Sequence, residues 1–179
     1  MARRVFKTDL SVKGIEQLKK DLLNYKDNIL QQNIREYVSE LLKIGVSVSQ
    51  ASINESPLGK YVTLTTDISS DKMGCKGILI AKGAVKESDG YAPFSTILAI
   101  EFGAGIHYNP IPNPNADKFG LGVGTFPGQI HAFEDFWFYW DEASQEWKPT
   151  HGVKATMPMY FAGKEMREKV IEIARAVFS

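Results

Sequence analysis

The residues able to carry chemistry lie mostly in the second half of the chain. Three tryptophans there, Trp137, Trp140 and Trp147, could form a platform on which sugar rings stack. Nearby carboxylates could supply the acid and base of a glycosidase: Glu101, Glu134, Asp135, Asp141 and Glu142. A glycan-binding or glycan-cleaving module is therefore one hypothesis. Large aromatic side chains are equally typical anchors of protein interfaces, and that explanation requires no substrate.

Other kinds of catalytic or cofactor site find little support in the sequence. The three histidines, His107, His131 and His151, form no HxxxH or HxH pair. The stretch 120–125 is rich in glycine but lacks the lysine of a phosphate-binding loop. The single cysteine, Cys75, cannot form a disulfide within the chain, and we predict a small half-buried core or strand residue there. We accordingly predict no catalytic residue, no cofactor, no metal and no enzymatic activity.

Composition limits the partners. The chain has 179 residues, with 21 basic and 21 acidic side chains, and this balance argues against a protein that grips phosphate backbones. Hydrophobic residues make up 44%, enough for a buried core. No apolar stretch approaches the roughly 20 residues that span a bilayer, and the N-terminus lacks a signal-peptide pattern. We expect a soluble protein made in a reducing cytoplasm.

Apolar spacing predicts a long helical region over residues 1–53. Two helical series follow each other there: Ile15, Leu18, Leu22, Tyr25, Ile29, and then Ile34, Val38, Leu41, Gly45, Val48. The two series are slightly out of phase where they meet, at Asp27-Asn28. Asn28 and Gln31 have the spacing of a capping box, so we predict a break or kink at this point.

The residue pattern after position 53 predicts strands, a long loop and a final helix. Tyr61–Ile68 and Gly77–Ala81 fit an antiparallel hairpin that turns at residues 72–74, and Ser88–Pro93 fits a loop. Phe94–Phe102 suits a strand or a short helix, and we favour the helix. A Gly/Pro-rich loop covers 104–130, and an aromatic hairpin follows it. A helical stripe closes the chain: Ala162, Met166, Val170, Ile173, Val177. Together these elements predict a single α+β domain over residues 1–179, with a long N-terminal helix, a small antiparallel β-sheet and an amphipathic C-terminal helix.

Several motifs resemble a family of tailed-bacteriophage minor structural proteins, the tail-completion or head–tail joining proteins. The segment 101–105 is similar to the family's Glu-Phe-Gly-Thr-Gly signature, with Ala104 in place of threonine. The hairpin 138–147 resembles the aromatic hairpin of members from Gram-positive phages. The segment 150–159 is similar to the family's Gly-x-x-Ala-Arg-Pro-Phe-Met stretch, although the order of residues after the alanine differs. The first half departs from the pattern at 54–60, so the resemblance is carried by residues 94–178.

This resemblance implies a structural virion protein, made in the cytoplasm of a bacterial host and located in the neck or tail. It implies a homo-oligomer, a ring of six copies at the head-proximal end of the tail, which contacts other neck or tail proteins. DNA would at most pass through, with no specific nucleic-acid binding and no membrane contact. The candidate residues for subunit contacts are Glu101, Phe102, Trp137, Tyr139, Trp140, Trp147, Met157 and Met159.

Overall fold

The chain combines helices with short antiparallel strands, as the sequence predicts. A computed structural model describes residues 5–71, 74–88, 91–104, 113–119, 136–141 and 143–178. The helices are α1 (Val12–Asn24), α2 (Gln31–Asn54), α3 (Thr96–Phe102) and α4 (Pro158–Phe178). The strands are β1 (Val62–Asp71), β2 (Gly74–Gly83), β3 (Val85–Ser88), β4 (Tyr91–Ser95), β5 (Trp137–Asp141) and β6 (Glu146–Thr150).

Helices α1 and α2 form one continuous helical rod, joined by a π-helical segment, Tyr25–Leu30. Each π-type turn takes one residue more than an α-turn, so it absorbs the phase difference between the two apolar series, which are five residues apart at Ile29 and Ile34. The irregularity therefore lies where the sequence predicts it. The predicted capping box does not form, because the helix continues through residue 28 and has no N-terminus there. The Asn28 amide donates to Asn24 Oδ1 at 2.7 Å.

The main body of the fold is the packing of α2 against α4, with the β1–β2 hairpin on α2. The axes of α2 and α4 approach closely at Gly45, where an added Cβ would lie 2.7 Å from Met166 Sδ. The buried face of α2 consists of Leu42, Gly45, Ser49 and Ile53. From α4, Pro158, Ala162 and Val177 are buried, which agrees with the predicted stripe.

The strands form three separate two-stranded antiparallel sheets, β1–β2, β3–β4 and β5–β6, in the described part of the chain. One small sheet was expected, and the loop predicted for Ser88–Pro93 is partly wrong, since Tyr91–Ser95 forms strand β4 against β3. The preferred helix is confirmed for Thr96–Phe102, whereas Phe94 and Ser95 belong to the strand before it. Cys75 is half-buried in β2, as predicted.

A second cluster of buried side chains surrounds α3. Ala99, Phe102, Ala104 and Ala116 form its centre, and Leu58, Phe94 and Val153 pack against it. Ala104 and Val153 also form an isolated antiparallel bridge, which ties the end of α3 to the segment before α4. Within the predicted loop, residues 116–119 form a turn of 3-10 helix. Residues 104 and 113–115 of this loop are also described, whereas 105–112 and 120–130 lie outside the described residues.

Candidate subunit-contact surfaces

Glu101 occupies the N-terminal end of helix α4. Its carboxylate accepts hydrogen bonds from the backbone N–H groups of Met159, at 2.9 Å, and Tyr160, at 3.0 Å. The first N–H groups of a helix have no partner within the helix, and the helix dipole favours a negative charge there. Pro158, the first residue of α4, has no N–H to satisfy and suits that position. Glu101 thus acts as a long-range cap of α4.

Asn113 completes the surroundings of Glu101. Its amide donates to Glu101 Oε1 at 2.8 Å and to the Glu101 backbone oxygen at 3.3 Å, and the side chain is buried. Burial raises the pKa of Glu101 above its ordinary value, because a charged carboxylate loses solvation. The hydrogen bonds from Met159, Tyr160 and Asn113 oppose this rise in pKa, since they favour the ionised form.

Two further candidate contact residues, Phe102 and Met157, are buried within the chain, with 6% and 2% of their surface exposed. Met157 has a φ of 50°, an uncommon value for a side chain of this size, and its N–H points to the Ile100 oxygen at 3.3 Å. Met159 is half-buried beside Ser49. The structure therefore gives Glu101, Phe102 and Met157 roles in the fold of the single chain, where a neighbouring subunit has no access to them.

The other candidates lie on strands β5 and β6, which we call the aromatic ribbon. Trp140 pairs with Trp147 across the two strands, and their rings meet edge to face at 5.7 Å. Phe138 lies two residues before Trp140 and so on the same face, where its ring meets Phe136 at 5.9 Å. All four side chains are exposed, Trp147 by 66% and Phe138 by 55%. They form one continuous aromatic face.

Among the described residues, β5 and β6 have their extensive contacts only with each other. Lys148 pairs with Asp141 and stiffens the ribbon near its turn, in which Gln145 has a φ of 55°. The backbones of Trp137 and Tyr139 belong to β5, and the contact prediction for their side chains lies outside the described residues. Among the predicted contact residues whose side chains the structure describes, Trp140 and Trp147 are the exposed ones.

A second exposed apolar surface lies on helix α1. Ser11 caps this helix, since its hydroxyl oxygen accepts from the Gly14 N–H at 3.0 Å. No residue of α1 is buried, although its apolar stripe has the spacing of a packed face. We call residues 12–30 the arm. Phe6 contacts Tyr25 edge to face at 5.7 Å and covers one side of the Tyr25 ring. Ile15 and Leu22, on the apolar stripe of the arm, remain exposed.

The arm carries a shallow groove along this stripe, with a volume of about 370 Å³. Four aliphatic side chains and two lysines line it: Ile15, Leu18, Leu22, Leu23, Lys19 and Lys26. The periodicity of the sequence identified this stripe but could not show that the domain itself leaves it unpacked. The role of Asn113 was also missed. This residue lies between two prolines, and no local pattern there indicates that its side chain binds a buried carboxylate twelve residues earlier in the chain.

The described residues hold no group of three or more metal-ligating side chains. A cleft of about 440 Å³ between α2 and α4 has mixed charge, with Glu55, Lys164 and Glu168 among its lining. The Thr156 hydroxyl, also in that lining, is buried without a hydrogen-bond partner. Because both acidic and basic side chains line this cleft, the lining indicates no particular class of ligand. In the part of the chain that the structure describes, no helix is long and apolar enough to cross a membrane.

Fold and surfaces together define an α+β protein with two exposed apolar surfaces of different shape, an aromatic ribbon and a grooved helical arm. No family model matches the chain, and no curated protein or solved structure is similar to it.

Proposed function

We propose that this chain is a structural virion protein of a tailed phage, a tail-completion or head–tail connector subunit. It assembles into a ring, of six copies by the family resemblance, at the head-proximal end of the tail. It acts by binding copies of itself and neighbouring neck or tail proteins, and not by catalysis.

The observation that carries this proposal is the exposed face of the aromatic ribbon. Four large aromatic side chains share one exposed surface, and among the described residues the two strands of the ribbon have extensive contacts only with each other. An isolated two-stranded hairpin is at best marginally stable in water. Aromatic residues of this size are the usual anchors of protein interfaces. A partner protein accounts both for the exposure and for the persistence of the ribbon.

The resemblance of residues 101–105 and 150–159 to phage joining proteins also supports the proposal. In the structure these two segments meet, since Glu101 caps the helix that begins at Pro158, within the second segment, and Ala104 pairs with Val153. The two motifs thus belong to one structural unit that fixes the start of α4. This unit is the scaffold, and the ribbon is the contact surface.

The test is the assembly state of the purified chain, measured by size-exclusion chromatography with light scattering and by electron microscopy. We expect rings, and we expect Trp140→Ala with Trp147→Ala to abolish them while circular dichroism stays unchanged. The matched control is Ile171→Ala, which removes an equally exposed apolar side chain from α4. Rings from the double variant would contradict the proposal.

A chain that is monomeric alone would next be mixed with the products of its neighbouring genes. Portal, major-capsid and tail-tube genes nearby would support the proposal, and co-assembly with their products would be expected. Genes of cell-wall or sugar metabolism in those places would overturn the phage assignment.

A glycan-binding or glycan-cleaving module is the second candidate, because an exposed face of Trp140, Trp147 and Phe138 also suits stacking against sugar rings. This function predicts a monomer in which soluble glycans change tryptophan fluorescence and protect these side chains from oxidation. Titration with cell-wall oligosaccharides distinguishes the two functions, since the assembly function predicts no saturable change in tryptophan fluorescence.

A further inference from the structure

The arm and the aromatic ribbon both expose large apolar side chains. Among the described residues, the ribbon strands have extensive contacts only with each other, and the arm has them only within itself and with α2, of which it is the continuation. The arm exposes Ile15 by 50% and Leu22 by 46%, and the ribbon exposes Trp147 by 66%. Helices and two-stranded hairpins both gain stability when an apolar face is packed, so a partner surface would stabilise each element.

Their shapes are complementary. The arm offers a shallow groove between the turns that carry Ile15, Leu18 and Leu22. The ribbon offers a ridge, since Trp140 and Trp147 stand side by side on one face near its turn. Indole rings that enter an aliphatic groove bury large apolar areas, at roughly 25 cal/mol per Å² removed from water.

The charges at the groove and on the ribbon are also complementary. Exposed Lys19 and Lys26 line the groove, in an arm that contains four basic and three acidic side chains. Residues 136–150 contain three acidic side chains and one basic side chain, and Glu146 lies on the face of β6 opposite Trp147, because side chains alternate along a strand. Lysines at the edge of the groove can contact the indole faces, and the net negative charge of the ribbon favours their approach.

We infer that the groove of the arm receives the Trp140–Trp147 end of the ribbon from a second copy of this chain. The inference rests on the proposed ring function and names the contact that builds the ring. Because the two surfaces differ, the contact is heterologous: each copy gives its ribbon to one neighbour and its arm to the other. Repetition of such a contact closes a ring when the rotation fits.

Contacts between like surfaces fit the charges less well. Two arms packed groove to groove would bring the lysines that line each groove, Lys19 and Lys26, towards those of the other copy. Two ribbons packed ridge to ridge would bring together two elements of the same net negative charge. Like charges in an interface cost free energy, and this disfavours both symmetric arrangements.

The test is a mixing experiment with two full-length variants. The arm variant is Ile15→Gln with Leu22→Gln, which keeps good helix formers and removes no buried side chain. The ribbon variant is Trp140→Ala with Trp147→Ala. We expect each variant alone to be monomeric and an equimolar mixture to give a complex of the mass of two chains, because one intact arm then meets one intact ribbon.

The outcomes separate this inference from the ring function. A two-chain complex in the mixture, with open chains instead of rings from the unaltered protein, supports the contact and overturns the ring. Rings from the unaltered protein, with a monomeric mixture or with self-association of the ribbon variant alone, overturn the contact and leave the ring. Monomers throughout, also for the unaltered protein, overturn the contact, and co-assembly with the products of the neighbouring genes then decides the ring function.

A charge reversal provides the second measurement. Lys19→Glu with Lys26→Glu in the ribbon variant should weaken its affinity for the arm variant at least tenfold. Glu146→Lys in the arm variant is the control and should have a smaller effect, because Glu146 lies on the face of β6 opposite Trp147. Equal affinities of all these pairs would overturn the proposed contact, since the lysines would not face the ribbon.

Discussion

The Glu101 carboxylate accepts a hydrogen bond of 3.0 Å from the backbone N–H of Tyr160, 59 residues further along the chain. Two helices are coupled by this contact, since Glu101 belongs to α3 and Tyr160 to the first turn of α4. The same carboxylate accepts from Met159 and Asn113, so one side chain holds three segments together. The position of α4 in the body of the chain therefore depends on the hydrogen bonds that this one side chain accepts.

Removal of this carboxylate should destabilise the fold. Glu101→Ala leaves the Asn113 amide and two helix N–H groups without their acceptor, and we expect a loss of about 2–4 kcal/mol in the free energy of unfolding. Chemical denaturation with circular dichroism measures it. Glu168→Ala, which removes an exposed carboxylate from α4, is the control and should change stability by less than about 0.5 kcal/mol. Equal effects of both variants would contradict the capping role.

Glu101 should also make stability depend on pH. Its pKa is raised by burial above the ordinary value of 4.5, so the folded state binds more protons than the unfolded state between the two pKa values. This contribution to stability is present in full below pH 4.5 and is lost as the pH rises through the folded pKa. Glu101→Gln, which does not titrate, should lack this component. Parallel stability curves of both proteins against pH would contradict the expectation.

Gly59 should tolerate no side chain. A Cβ there would overlap the backbone oxygen of Ile53, which is 1% exposed and cannot move away cheaply. We expect Gly59→Ala to cost about 2 kcal/mol or more. The control is Gly163→Ala in helix α4, where an added Cβ meets no atom within 4 Å. That variant should gain about 0.5–1 kcal/mol from helix propensity, so thermal unfolding should shift the two proteins in opposite directions.

Phe102 and Trp147 should respond differently to truncation, although both were candidates for subunit contacts. Phe102→Ala opens a cavity in the α3 cluster and should cost about 3–5 kcal/mol. Trp147→Ala removes an exposed ring and should change the stability of the single chain by less than about 1 kcal/mol. Denaturation below the assembly concentration separates the two effects. A large loss from Trp147→Ala there would show that the ribbon is part of the core.

The phase of α1 relative to α2 should set the direction of the groove on the arm. Insertion of one alanine after Asn24, between α1 and the π-helical segment, should add one α-helical residue and rotate α1 by about 100° relative to α2. Because α1 buries no residue, helical content and stability should remain close to those of the unaltered chain. Assembly should nevertheless be lost, since the groove then faces elsewhere. Light scattering and circular dichroism on the same sample measure both properties, and intact assembly would count against a role of the arm.

Local patterns in the sequence determined much of the secondary structure. The long N-terminal helix and its irregularity near Asp27, the β1–β2 hairpin, the aromatic hairpin and helix α4 were all predictable, because each depends on spacing among near neighbours. The strand Tyr91–Ser95 was not, since its pairing with β3 outweighed local turn signals. For the same reason the sequence could not show that the strands form separate two-stranded sheets.

Only the tertiary structure decided what each candidate contact residue does. In the sequence, Glu101, Phe102 and Trp147 had equal standing, because each is a charged or large residue within a motif. In the fold, Glu101 caps a distant helix, Phe102 fills a core and Trp147 is exposed. Apolar spacing shows that a residue lies on one face of an element. Whether that face is covered depends on chain segments tens of residues away, and this is why the arm and the ribbon were recognisable as uncovered only in the fold.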